Sequence, residues 1–93
     1  MTTVLFRHTH NDLIAVFPFM SRDFYWIPCY SHWGQHGTTT WDWIRYNTRP
    51  AKPEQYETLL NELRSIGYND LEVINRLPSY RTIMTKESEL WDN

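Results

Sequence analysis

Cysteine and glycine are scarce in this chain of 93 residues, which has one cysteine and three glycines. A single cysteine excludes an internal disulfide framework and is typical of a protein in a reducing cytosol. The charges nearly balance, with a formal net charge of −2, so no overall basic field attracts nucleic acid. The longest apolar run, residues 13–17, is far too short to span a bilayer. The first residues lack a basic start followed by an apolar run, so we expect no signal peptide and a cytoplasmic protein.

Aromatic residues, in contrast, are abundant, and they make up 16% of the chain. Large rings are an efficient way for a short chain to bury apolar area, and those left exposed suit a binding surface. With 41% hydrophobic and 22% charged residues, the composition is that of an ordinary soluble globule. We expect one domain over residues 1–78, followed by a tail or short docking helix over residues 79–93.

The first half of the chain predicts strands. Residues 4–6 and 13–17 are short apolar runs, and the His10-Asn11-Asp12 sequence between them favours a turn, so we expect a β-hairpin. The second run is apolar on both faces, which predicts a central, covered strand. Residues 25–33 could form a third strand, in which Pro28 would sit at an edge or a bulge.

The second half predicts one clear helix and a last strand. Pro53 suits the first helical position, and Gly67 suits a helix C-cap. One apolar stripe at helical spacing lies between them: Tyr56, Leu59, Leu60, Leu63 and Ile66. Residues 71–77 then suit a strand closed by Pro78. Residues 38–47 fit either a short helix after a threonine cap or a strand, and we favour the helix.

This order of elements predicts an α+β fold. The expected architecture is β-β-β-(α)-α-β, a mainly antiparallel sheet of about four strands with one amphipathic helix packed on one face. The helix stripe needs an apolar sheet face to cover it, and the strand over residues 13–17 offers one.

The segment CYSHWGQHG, residues 29–37, holds the residues best suited to chemistry. Cys29, His32 and His36 have the side chains and spacing of possible zinc ligands, and a cysteine near histidines can be an activated nucleophile. If the strand is extended, however, Cys29 and His32 point to opposite faces. We therefore predict no metal, no cofactor and no catalytic residue, and keep a metal-dependent or thiol enzyme as an alternative.

The same segment can instead be a structural turn. Gly34 and Gly37 could both supply the positive φ angles of a tight turn. His32, Gln35 and His36 would then fix that turn by hydrogen bonds to neighbouring backbone. This framework role explains the glycines without a bound ion.

The aromatic residues supply candidate partner contacts. If exposed, they would anchor a protein interface: Phe24, Tyr25, Trp26, Trp41, Trp43 and Trp91. A self-association surface would have the same composition, so a homodimer is an alternative. Arginines beside rings, at Arg22, Arg45 and Arg49, could stack and pair with single-stranded nucleic acid, although the balanced charge disfavours a nucleic-acid-binding regulator.

Four strings resemble a group of small, mostly uncharacterised proteins encoded by bacteriophages and other bacterial mobile elements. They are LIAVFP, YSHWGQHG, TRPAKPEQY and LLNELRSIGY, with LEVINR behind them, and together they cover most of residues 4–77. The chain departs from the group at Lys52, where a threonine helix cap is usual.

The resemblance implies a phage or mobile-element gene and a bacterial cytoplasm, but no reaction. We therefore expect a small non-enzymatic protein that binds a bacterial host protein. Inhibition of a host defence system such as CRISPR is one role that this gene context favours.

Overall fold

The computed structural model describes residues 2–20, 26–32 and 34–78. In these ranges the order is β1 (Thr2–His8), β2 (Leu13–Val16), β3 (Ile27–Ser31), β4 (Gln35–Thr39), α1 (Trp41–Asn47), β5 (Arg49–Pro50), α2 (Pro53–Ser65) and β6 (Leu71–Ile74). The α+β class is confirmed. The predicted tail, residues 79–93, lies outside the described residues.

The predicted hairpin of β1 and β2 is present. The strands pair antiparallel from Leu5 opposite Val16 to His8 opposite Leu13. The turn between them is closed because the Thr9 N–H donates to the Asp12 carbonyl at 2.8 Å, while the Asp12 N–H donates to the Thr9 hydroxyl at 3.0 Å. β2 is central and buried, as its two apolar faces predicted.

The sheet has more strands than the sequence predicted. The described part of the chain forms six, in the order β4-β3-β2-β1-β5, with β6 parallel to β1. β4 and β5 were not predicted, because β4 is an exposed edge strand of polar residues and β5 has two residues. An edge strand can form hydrogen bonds with water along its outer side, so its sequence needs no alternating pattern of apolar residues.

The ends of two predicted strands are now defined. Pro28 lies in β3 opposite Thr38 of β4, one residue beyond the last β2–β3 pair, Val16 opposite Cys29. Its carbonyl accepts from the Phe17 N–H at 3.0 Å, just after β2 ends, so the missing proline N–H falls where the β2–β3 pairing stops. β6 ends at Ile74 and not at Leu77, because β5 takes over that edge of β1 beyond Leu5.

Residues 41–47 are helical, which confirms the favoured prediction. Thr40 caps α1, since its hydroxyl accepts from the Trp43 N–H at 3.2 Å. Trp41, Ile44 and Thr48 are buried, as the helical spacing predicted.

α2 begins at Pro53 as predicted, without a side-chain acceptor at Lys52. Instead, the Gln55 side chain accepts from the Lys52 N–H at 2.8 Å. Leu59 and Leu63 are fully buried, but Ile66 was wrongly assigned to the apolar stripe. It is 49% exposed, because the helix ends at Ser65 and Ile66 has left helical geometry.

The sheet is covered on both faces rather than one. α2 packs on one face, where the core is Val4, Phe6, Ala15, Phe17, Tyr30, Leu59 and Leu63. α1 packs on the other, where the core is Leu5, Ile14, Val16, Ile27, Trp41 and Ile44. The alternation of side chains along each strand separates the two sets. No helix in the described ranges is long and apolar enough to cross a membrane.

Candidate functional site

In the CYSHWGQHG segment, the facing ends of β3 and β4 pair as a hairpin. The side of this hairpin that faces α2 carries a network of hydrogen bonds. The Tyr30 hydroxyl donates to Glu62 Oε2 and accepts from the Gly34 N–H at 3.0 Å. His32 Nδ1 lies 2.8 Å from Glu62 Oε1. One carboxylate of α2 therefore binds both the strand and the turn that follows it.

The network suppresses the acidity of Tyr30. The hydrogen bond to Glu62, and secondly burial, raise the pKa of the Tyr30 hydroxyl. The ring of His36 packs edge-on against the Tyr30 ring, with centroids 4.8 Å apart. Because this pKa is raised above its ordinary value, the Tyr30 hydroxyl stays protonated at neutral pH and acts as a structural donor.

Cys29 lies on the opposite face of the sheet from this network. It packs against the core under α1, whereas the Tyr30 ring belongs to the core under α2. Burial raises the pKa of the Cys29 thiol, which lowers the fraction of reactive thiolate. The residues of the alternative metal or thiol site are thus not brought together. Among the described residues, no group of three potential metal ligands occurs.

The two glycines of the segment differ in conformation. Gly34 has φ of +77° in the turn between β3 and β4. Gly37 lies inside β4 opposite Cys29 and has no positive φ, so the expectation that both glycines supply one was wrong for Gly37. His32 contacts the side chain of Glu62, a helix partner that the expectation of backbone bonds did not include, because α2 passes beside the turn.

A groove opens on the α1 side of the same hairpin. It has a volume of about 390 Å³ and lies between the β3–β4 strands and the start of α1. Ile14 is its buried lining residue, Cys29 is half-buried, and residues 38–40 contribute threonine side chains. Trp26 and Trp43 also line it, and they remain 51% and 39% exposed.

The candidate partner contacts therefore divide into three groups. Trp26 and Trp43 are exposed and line the groove together. Trp41 is instead a core residue with 8% exposure, and its ring packs in the core between α1 and the sheet. Phe24, Tyr25 and Trp91 lie outside the described residues.

The arginines considered for nucleic acid also separate. Arg45 is exposed on α1, and Arg49 is exposed in β5. Arg22 lies outside the described residues.

Glu62 is the residue that sequence reasoning missed. It was one of several charged residues on a helix, and nothing in its neighbours along the chain marks it as the partner of Tyr30 and His32. Its place beside the apolar stripe, one residue before Leu63, was the available signal, since such flanking positions meet the rim of the covered face.

No family model, curated protein or solved structure matches the chain.

Proposed function

We propose that this chain is a small non-enzymatic protein of a phage or mobile element that acts by binding a bacterial host protein. The binding surface is the groove on the α1 side of the β3–β4 hairpin. A component of a host defence system such as CRISPR is the class of partner that the proposed gene context favours, and the bacterial cytoplasm is the expected place of action.

The observation that carries this proposal is the pair of exposed tryptophans at an apolar groove. Trp26 and Trp43 are 51% and 39% exposed, and both border the same concave surface. Tryptophan is the residue type most often found at the energetic centre of protein interfaces. The groove combines an apolar interior near Ile14 with hydroxyls of threonines 38–40, as an interface combines an apolar core with a polar rim.

The partner group that suits this groove is an apolar side chain on a protein surface. Such a side chain would lie between the two indole rings, and its burial would remove water from Ile14 and from both rings. Burial of apolar area contributes about 25 cal/mol per Å², so one inserted leucine or phenylalanine contributes on the order of 2 kcal/mol.

The resemblance of four sequence strings to phage and mobile-element proteins supports the bacterial partner. The geometry supports a non-enzymatic role, because Cys29 is on the opposite sheet face from Tyr30 and its network. A thiol enzyme would need the cysteine and a histidine within hydrogen-bonding reach.

The test is affinity purification of the tagged chain from bacteria, followed by binding measurements with the purified partner. We expect Trp26→Ala and Trp43→Ala each to weaken the dissociation constant by about tenfold or more. Tyr46→Ala is the matched control, because Tyr46 is an exposed aromatic of α1 that does not line the groove. Unchanged affinity in both tryptophan variants, with unchanged melting temperatures, would contradict the proposal.

Chemical modification of the single cysteine tests the location of the partner independently. Cys29 lines the groove, so a bound partner should slow its modification by a maleimide reagent. Equal modification rates with and without saturating partner would place the partner elsewhere on the chain. If the purified chain is itself dimeric and dilution speeds the modification, the groove is a homodimer contact, which is the alternative.

A further inference from the structure

A second concave surface lies at the opposite edge of the sheet, where four elements meet. It has a volume of about 490 Å³, and its lining residues are His8, Thr9, His10, Asn47, Arg49 and Gln55. These residues come from the end of β1 and its turn, the end of α1, β5, and the first turn of α2. All six side chains are polar, unlike those of the groove beside Trp43.

Strand pairing explains why the basic residues converge. His8 and Arg49 are direct partners in the antiparallel β1–β5 pair. Direct partners project from the same face of a sheet, with their Cβ atoms about 5 Å apart. Because Phe6 lies in the core under α2, His8 two residues later projects to that same face.

The charge that lines this cavity is positive. Arg49 supplies it, and the imidazole rings of His8 and His10 add N–H groups beside it. Among the residues that the structure describes, no aspartate or glutamate lines the cavity.

The neutral lining residues offer hydrogen-bond donors. The Thr9 hydroxyl accepts from the Asp12 N–H, and its own proton remains available for donation. Gln55 Oε1 accepts from the Lys52 N–H at 2.8 Å, so the amide NH₂ of Gln55 is the end left to donate. The N-terminal turn of α2, which contains Gln55, adds a positive potential.

From this arrangement we propose that the cavity is a binding site for a phosphate group, with Arg49 as the principal ligand and His8, His10 and the Gln55 amide as supporting donors. Arginine matches the planar pairs of oxygens on phosphate, and lysine does not. Within the described ranges the Arg49 side chain makes no ion pair or hydrogen bond, so it is available.

The test is titration of the full chain with inorganic phosphate, followed by amide chemical shifts in NMR spectra. We expect saturable shifts at residues 8–10 and 47–49 that chloride at equal ionic strength does not reproduce. Arg49→Gln should weaken binding by about tenfold or more. Arg45→Gln is the matched control, because it removes the same charge from an exposed position that does not line the cavity.

Two further measurements identify the kind of molecule that carries the phosphate group and test whether the paired donors of the Arg49 guanidinium are needed. Tighter binding of adenosine monophosphate than of inorganic phosphate would support the site and indicate a larger phosphorylated ligand. Arg49→Lys should keep the fold and the charge but weaken binding, since it loses the paired donors. Linear shifts in the natural chain, shifts that chloride reproduces, or equal binding by the Arg49→Gln and Arg45→Gln variants would overturn the proposal.

Discussion

Tyr30 of β3 donates its hydroxyl hydrogen to Glu62 of α2, so a strand side chain with 1% exposure is tied to a carboxylate on the covering helix. The same carboxylate lies 2.8 Å from His32 Nδ1. The hydroxyl of Tyr30 also accepts from the Gly34 N–H, which continues the network into the turn. Tyr30 and His32 therefore fix the β3–β4 hairpin to α2, and the exposed groove is on the other side of that hairpin.

The Tyr30–Glu62 bond predicts a loss of stability at alkaline pH. The pKa of Tyr30 is raised, so the folded protein holds this proton more tightly than the unfolded chain does. The contribution of Tyr30 to the free energy of unfolding is complete below the ordinary tyrosine pKa of about 10 and falls as pH rises above it. The stability difference between the natural chain and Tyr30→Phe should therefore shrink above pH of about 10.

Urea denaturation of both chains from pH 7 to pH 11 measures this difference. Tyr46→Phe is the control. Tyr46 is 77% exposed, so its hydroxyl contacts water in both the folded and the unfolded protein. A difference that stays constant over the whole range would mean that the Tyr30 proton is not bound more tightly in the folded protein.

The two glycines of the hairpin should respond differently to replacement by alanine. Gly34 has φ of +77°, a conformation that costs a residue with a Cβ atom about 1–2 kcal/mol. At Gly37, which has no positive φ, an added Cβ would lie 3.7 Å from Cys29 Sγ, an ordinary contact. We expect Gly34→Ala to lower the free energy of unfolding by about 1 kcal/mol and Gly37→Ala to change it by less than about 0.5 kcal/mol. Urea denaturation distinguishes them, and equal losses would contradict the assigned turn.

The elements that the sequence predicted well are those with a strong pattern of apolar residues or caps. The β1–β2 hairpin has two apolar runs around a polar turn, and α2 has a stripe bounded by Pro53 and Gly67. β4 has the sequence QHGTT, and as an exposed edge strand it needs no apolar face. Its pairing with β3 supplies the stability, and pairing across a turn is not visible in a local pattern.

The candidate sites depended on contacts between residues far apart in the chain. Tyr30 and Glu62 are 32 positions apart, and Arg49 is opposite His8 only because β5 pairs with β1. The sequence also does not show which aromatic side chains are exposed. Trp41 and Trp43 are two residues apart, and only Trp41 is buried. Composition pointed to aromatic residues as candidate contacts, but only the packed structure separates core rings from surface rings.

A buried arginine joins the sheet to the end of α1. Arg7 is 7% exposed, and its Nε donates to the Thr48 hydroxyl at 2.9 Å. Its Nη2 donates to the carbonyls of Thr48 at 2.9 Å and Ile44 at 3.5 Å. Within the described residues no carboxylate forms an ion pair with Arg7, and burial lowers its pKa. The carbonyl oxygens at the negative end of α1 therefore stabilise this cation.

Removal of this cation should destabilise the protein strongly. Arg7→Met keeps an unbranched apolar stem but leaves both Thr48 oxygen atoms without the donor that Arg7 supplies. Loss of a buried charged donor costs about 2–3 kcal/mol, whereas Arg45→Met, at an exposed position of α1, should change stability by less than about 0.5 kcal/mol. Urea denaturation at pH 7 measures both. Equal stability of the two variants would mean that water replaces the guanidinium at α1, and the sheet would then not depend on Arg7 to hold this helix.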